Sequence, residues 1–93
     1  MTKVMLKGYV LARDQDLPGI ERELPKHIEL TLKETGCIAF QVSQDPENRK
    51  RFNVYEEFTD KSSFEAHQTR AKSSRWGQVS ANLDKHYHVT EGV

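Results

Sequence analysis

Three side chains in this 93-residue sequence have types and positions that could do chemistry: Glu56, His67 and His27. Glu56 stands in an alternating run in which Phe52, Val54, Glu56 and Phe58 face one way and Asn53, Tyr55 and Glu57 the other. Period-two geometry therefore puts a carboxylate on an apolar face. A carboxylate buried there without a partner is costly, so it must gain a hydrogen bond or a raised pKa. His67 follows Phe64 by three residues and His27 follows Leu24 by three, each on a helical pattern that can turn it inward. With Phe40, Phe52 and Trp76 these groups would line an apolar pocket holding a few polar atoms, the usual form of a small-molecule site. The same residues also fit a Glu–His pair that only fastens a helix to a sheet. Periodicity does not choose between the two.

Other chemistry finds less support. His86 and His88 alternate onto one strand face, but a third ligand at a defined spacing is missing, so no metal site is expected. Cys37 has no helix N-terminus or cationic neighbour to activate it and reads as a small hydrophobe. One cysteine cannot form an internal disulfide. The five glycines are scattered, which excludes the common phosphate-binding loops. Fourteen basic residues balance fourteen acidic ones, and the only basic cluster, Arg49-Lys50-Arg51, follows Asp45 and Glu47 in a turn. Nucleic acid is therefore not an expected partner. No run approaches the roughly 20 apolar residues of a membrane helix. The N-terminal residues lead straight into an alternating pattern without a signal-like apolar block, so a cytoplasmic protein is expected.

The elements that must position these groups can be read in order. Residues 3–13 alternate as a strand. Asp16-Leu17-Pro18 opens a helix of about 17–35, with Ile20, Leu24, Ile28 and Leu32 as its apolar stripe. Pro25 is expected to kink it into two pieces, and Gly36 to end it. Cys37–Gln44 and Arg51–Thr59 form a hairpin around Asp45-Pro46-Glu47-Asn48, with Ile38, Phe40 and Val42 on one face of the first strand. Asp60 caps a second helix, which breaks near 69–72 and resumes through Trp76, Val79 and Leu83; residues 85–91 form the last strand. Strand, helix, strand, strand, helix, strand is the order of a ferredoxin-like α+β fold, one domain over residues 1–93, with an antiparallel four-stranded sheet and helices on one face. Met5, Leu11, Tyr55 and Tyr87 are placed on the other, bare face. An apolar fraction of only 35% makes a thin core. A homodimer through the bare sheet face is therefore expected.

The segments His27…Thr31…Glu34-Thr35-Gly36-Cys37-Ile38, Phe52-x-Val54-Tyr55-Glu56-x-Phe58-x-Asp60 and Phe64-x-Ala66-His67 together resemble the antibiotic biosynthesis monooxygenase family. The resemblance covers roughly residues 3–90. It implies dimeric α+β barrel domains, among them quinol monooxygenases, that oxidise electron-rich phenols, quinols or anthrones with O2 without metal, flavin or haem. On that resemblance His67 is the base or orienting group, Glu56 fixes its orientation, and His27 binds a substrate oxygen; Trp76 and Phe40 supply ring contacts. The stretch Arg70-Ala71-Lys72-Ser73-Ser74 stands where many members carry a His or aromatic pair, and Gly77 stands where the haem-degrading branch needs a ligand His, which disfavours haem. The Arg51-Phe52…Tyr55-Glu56…His67 pattern is also similar to the autoinducer-processing branch, which isomerises a small phosphorylated ketone; Lys72 or Arg70 would then hold the phosphate. A third alternative is a ligand-binding domain without catalysis.

Overall fold

The computed structural model of the chain describes residues 2–92. Four eight-residue strands, β1 (Val4–Leu11), β2 (Cys37–Gln44), β3 (Arg51–Phe58) and β4 (Asp84–Glu91), form one antiparallel sheet in the order β2-β3-β1-β4. Helix α1 (Leu17–Leu32) connects β1 to β2; α2 (Lys61–Lys72) and the short α3 (Arg75–Val79) connect β3 to β4. This is the expected ferredoxin-like α+β order, with a 3₁₀ turn at Asp14–Asp16 before α1 and a separate α3 added. Among the described residues no helix is long and apolar enough to cross a membrane.

Local chemistry explains the joints. Asp60 caps α2 by accepting the Ser63 N–H at 2.7 Å, and the Ser74 hydroxyl oxygen accepts the Gly77 N–H at 3.3 Å to start α3. In the β2–β3 loop the side chains of Asp45 and Asn48 accept the backbone N–H groups of Glu47 and Lys50 at 2.8 and 3.0 Å. Gly36 adopts φ +89°, which reverses the chain after α1, and its carbonyl accepts the Thr59 N–H at 2.8 Å.

Several expectations need correction. Helix α1 is continuous through Pro25 and ends at Leu32. The carbonyl that Pro25 cannot serve belongs to Glu21, and both residues are exposed, so water can satisfy it at little cost. The helix break falls at Ser73–Ser74, after Lys72. A register shift between Cys37 and Ala39 throws Ile38 out to 50% exposure, so β2 presents Phe40 and Val42 inward without it. Tyr87 lies opposite Gly8, on the same face as Leu6 and Val10, so it belongs to the helix-covered side; His86 and His88 face the other way, opposite Tyr9 and Lys7.

The helix-side face carries the core. Leu6, Val10, Phe52 and Val54 from the sheet meet Leu17 and Ile20 of α1, with Trp76, Val79 and Leu83 packed against them. Near the α2 end, Phe58 packs edge-on against Phe64 at 5.7 Å. The opposite face has no helix and is more polar than expected. Met5, Leu11 and Tyr55 share it with Lys7, Asn53 and Glu57, and the Tyr9 ring has the Arg51 guanidinium at 3.9 Å and stacks with His86 at 4.7 Å.

A Cβ at position 36 would run into the Ser63 hydroxyl in a backbone conformation that L-residues avoid. Gly36→Ala is expected to destabilise the fold by roughly 1–3 kcal/mol. Urea unfolding measures this, and a loss too small to resolve would show that the α1–β2 turn relaxes freely.

Candidate functional site

Leu6 on β1, Glu56 on β3 and Phe40 on β2 lie side by side across the sheet, because Glu56 is in register with both neighbours. Helices α1 and α2 lower His27 and His67 onto this row. Each is 5% exposed and Glu56 is 6% exposed. Together with Val42, Val54, Trp76 and Lys72 they line a cavity of about 310 Å³ that opens beside Lys85 and Tyr87 of β4. The structure thus brings together six of the seven residues singled out from the sequence. Phe52 is the exception: it is buried in the core among Leu6, Val10 and Ile20 and does not line the cavity.

His67 is held from below by a residue the sequence reading overlooked. Glu34, in the turn after α1, accepts a hydrogen bond from His67 Nδ1 at 2.9 Å through Oε1. Its Oε2 accepts from Arg70 Nε, and Arg70 Nη2 donates to the Thr31 hydroxyl oxygen at 2.8 Å. Thr31 in turn donates to the His27 carbonyl at 2.7 Å. An ionised carboxylate can only accept, so this pairing sets the Nδ1–H tautomer of neutral His67 and leaves a lone pair on Nε2. Nε2 lies 3.8 Å from Glu56 Oε1, beyond hydrogen-bond reach. Glu56 therefore does not orient His67, as the resemblance implied; Glu34 does. Arg70, paired with Glu34, is likewise taken from the phosphate-binding role considered for it.

The electrostatics favour a neutral interior. Burial pushes the Glu56 carboxyl up to about 7, helped by the nearby charge of Glu34. Burial holds His27 down at about 3, with His67 and Arg70 adding to the effect. The pKa of His67 is also lowered, again mainly by burial, although Glu34 pulls in the opposite direction. Two buried polar atoms, His27 Nδ1 and Glu56 Oε1, have no hydrogen-bond partner among the described residues. The rest of the wall is aromatic: His27 stacks on Trp76 at 4.8 Å and 10°, and Phe40 meets both imidazoles at 5.4 Å. At the mouth, desolvation first and Glu56 second push the Tyr87 phenol up to about 12.

Sequence comparison places this arrangement. The family model described as antibiotic biosynthesis monooxygenase matches residues 9–78, which include His27, Glu34, Glu56, His67 and Trp76. The chain belongs to the antibiotic biosynthesis monooxygenase family. Solved structures of the same fold include a candidate antibiotic biosynthesis monooxygenase from Nitrosomonas europaea (17% identity, 98% of this chain and 95% of that one, TM-score 0.74). Another, from Bacteroides thetaiotaomicron, is 13% identical over 99% of this chain and 88% of that one, with a TM-score of 0.76. A conserved protein from Methanosarcina mazei Go1 is 24% identical over 98% of this chain and 90% of that one, with a TM-score of 0.67. No curated protein gives a significant match.

Cys37 in this family member is half-buried, and desolvation, then Glu34 and Glu56, raise its thiol pKa, which disfavours the thiolate form. His86 is paired with Asp84 at 3.0 Å on the open face, and the described residues contain no group of three or more metal-ligating side chains. Thr31 and Glu34 stand in a segment that carries the family resemblance and Arg70 was weighed only as a phosphate ligand; their joining to His67 spans three elements, which no single periodicity carries.

The raised pKa of Glu56 has a measurable consequence. Between the ordinary value of 4.5 and about 7 the folded protein keeps a proton that the unfolded chain has lost. Stability from this group is therefore full at low pH, falls across that window and is flat above it. Glu56→Gln should abolish this fall, on the order of 3 kcal/mol. The lowered pKa of His27 acts in the opposite sense, with stability lost as pH drops below its ordinary 6.5 toward about 3. Urea midpoints of both proteins between about pH 5 and pH 8 test this; parallel curves would show that Glu56 is not buried as described.

Proposed function

We propose that this protein is a monooxygenase that oxidises a small aromatic or quinol-type substrate with O2, the substrate itself providing the electrons. The carrying observation is the pair of unpartnered buried atoms, His27 Nδ1 and Glu56 Oε1, in an otherwise aromatic and aliphatic cavity. Buried polar atoms without partners are costly, and a hydroxylated ring would supply the missing hydrogen bonds. A substrate hydroxyl set between them donates its proton to His67 Nε2, with Glu56 close enough to share it. The resulting electron-rich anion transfers electrons to O2 and forms a C–O bond. Loss of the proton on the oxygenated carbon then cleaves the O–O bond, leaving one oxygen on the product as a carbonyl and expelling the other as hydroxide, which takes back the proton held by His67 and leaves as water. His27 Nδ1 and protonated Glu56 would donate hydrogen bonds to the developing oxyanion, and the apolar wall would keep bulk water away from it. Family membership supports the same reaction class.

The isomerase alternative loses support because Arg70, one of its two phosphate ligands, is committed to Glu34 and Thr31. A homodimer through the open sheet face belongs to the proposal, supported by the family and by a face that no helix covers, where Met5, Tyr9, Leu11 and Tyr55 lie between polar residues.

Oxygen-electrode assays with hydroquinones, naphthoquinols and anthrones should show protein-dependent O2 uptake. His67→Gln, which can still donate to Glu34, should lower turnover by about 10²–10⁴. No uptake with any of these classes, or unchanged turnover in the variant, would sink the reading. In sedimentation the protein should run at twice the chain mass, and Tyr9→Glu with Tyr55→Glu should shift it toward the single chain. A wild-type protein that stays monomeric at micromolar concentration would reject the dimer.

A further inference from the structure

The cavity that is neutral inside is positively charged at its mouth. Lys72, the last residue of α2, and Lys85, near the start of β4, both line it from opposite sides. Lys85 is in register with Val10, which puts it on the helix-side face where β4 runs beyond the helices. Tyr87 and Val89 on the same stretch are 40% and 47% exposed, so this side of the cavity is its opening. Among the described residues neither lysine forms an ion pair, whereas Arg70 and His86 are each matched to a carboxylate. Glu56 is the one acidic side chain in the lining, and it lies on the floor.

Charge arranged in this way selects for an anion with an apolar body. Unpaired ammonium groups beside low-dielectric walls raise the local concentration of an anionic ligand and orient it as it enters. We infer that the substrate is an aromatic acid, its ring against Trp76, His27 and Phe40 and its carboxylate at the mouth between Lys72 and Lys85. The inference rests on reading this cavity as the substrate site and adds the ligand's charge. A carboxylate suits the mouth better than a phosphate ester. Lys72 ends α2, where the helix dipole places partial negative charge that offsets part of the ammonium and penalises a dianion most.

Trp76 is the single tryptophan and forms part of the cavity wall, so its fluorescence reports occupancy directly. Binding should be titrated anaerobically with 2,5-dihydroxybenzoate, hydroquinone and 4-hydroxyphenyl phosphate. The dihydroxybenzoate is expected to bind about tenfold more tightly than hydroquinone in low salt, with the difference largely lost near 0.5 M salt, where the Debye length is only about 4 Å. Lys72→Gln with Lys85→Gln should remove the difference, and Lys72→Arg with Lys85→Arg should keep it. Equal binding of the acid and the neutral quinol, preference for the phosphate ester, an advantage that survives the double glutamine variant, or no binding by any of the three would each overturn the inference. Selective binding of the acid without O2 uptake would uphold the anion clamp and reject the oxygenation.

Discussion

A carboxyl group at the centre of a sheet, with helices above it, can stay there only if the folded protein lets it remain uncharged or surrounds it with donors. Among the described residues Glu56 Oε1 has no donor, and the nearest imidazole nitrogen is 3.8 Å away. What remains is protonation, and the pKa near 7 is the result. The rest of the site follows from that constraint. The histidines packed over Glu56 must themselves stay neutral, because charged neighbours would reset its proton affinity, and burial lowers the pKa of both. The aromatic rings around them complete a lining in which little charge is left to attract water.

One ion pair makes this neutrality possible. Glu34 would add a negative charge behind His67, and through space it does raise the Glu56 pKa. Arg70 neutralises it from α2, and the same guanidinium reaches Thr31 on α1, so a single cluster bridges both helices and the α1–β2 turn. Such a cluster does structural and chemical work together. It fixes how α1 and α2 sit over the sheet, and it determines which nitrogen of His67 faces the cavity.

Much of this was legible in the sequence, for reasons that differ by residue. Strand alternation placed Glu56 inward because a period of two tolerates no drift over eight residues. The helix stripe was less faithful. Residues four apart advance 40° around a helix, so Ile20, Leu24, Ile28 and Leu32 spiral away from the core, and Leu32 ends 55% exposed. The face that stays buried runs through Leu17, Ile20, His27 and Thr31. Polar side chains occupy its second half, which is why the site lies there. Phe52 was misassigned because alternation fixes the face of a strand but not the position along it: Glu56 is one inward step beyond Val54, toward the cavity, while Phe52 falls within the core. Tyr87 was put on the wrong face for a related reason. A strand with both faces partly exposed carries no hydrophobic signal to set its register.

The inward face of β4 is left exposed beside the helix layer: Tyr87 and Val89 on this edge strand are 40% and 47% exposed. The uncovered strip lies along β4, and the cavity opens there. Filling it with large apolar side chains would have stabilised the monomer but closed the side on which the exposed Lys85 and Tyr87 border the cavity. Tyr87, with an apolar ring and a hydroxyl that stays protonated to about pH 12, is a compromise at that edge: it covers part of the strip without adding charge beside Glu56. The thinness of the core and the accessibility of the site therefore have the same origin, an edge strand left half bare beside the buried carboxyl.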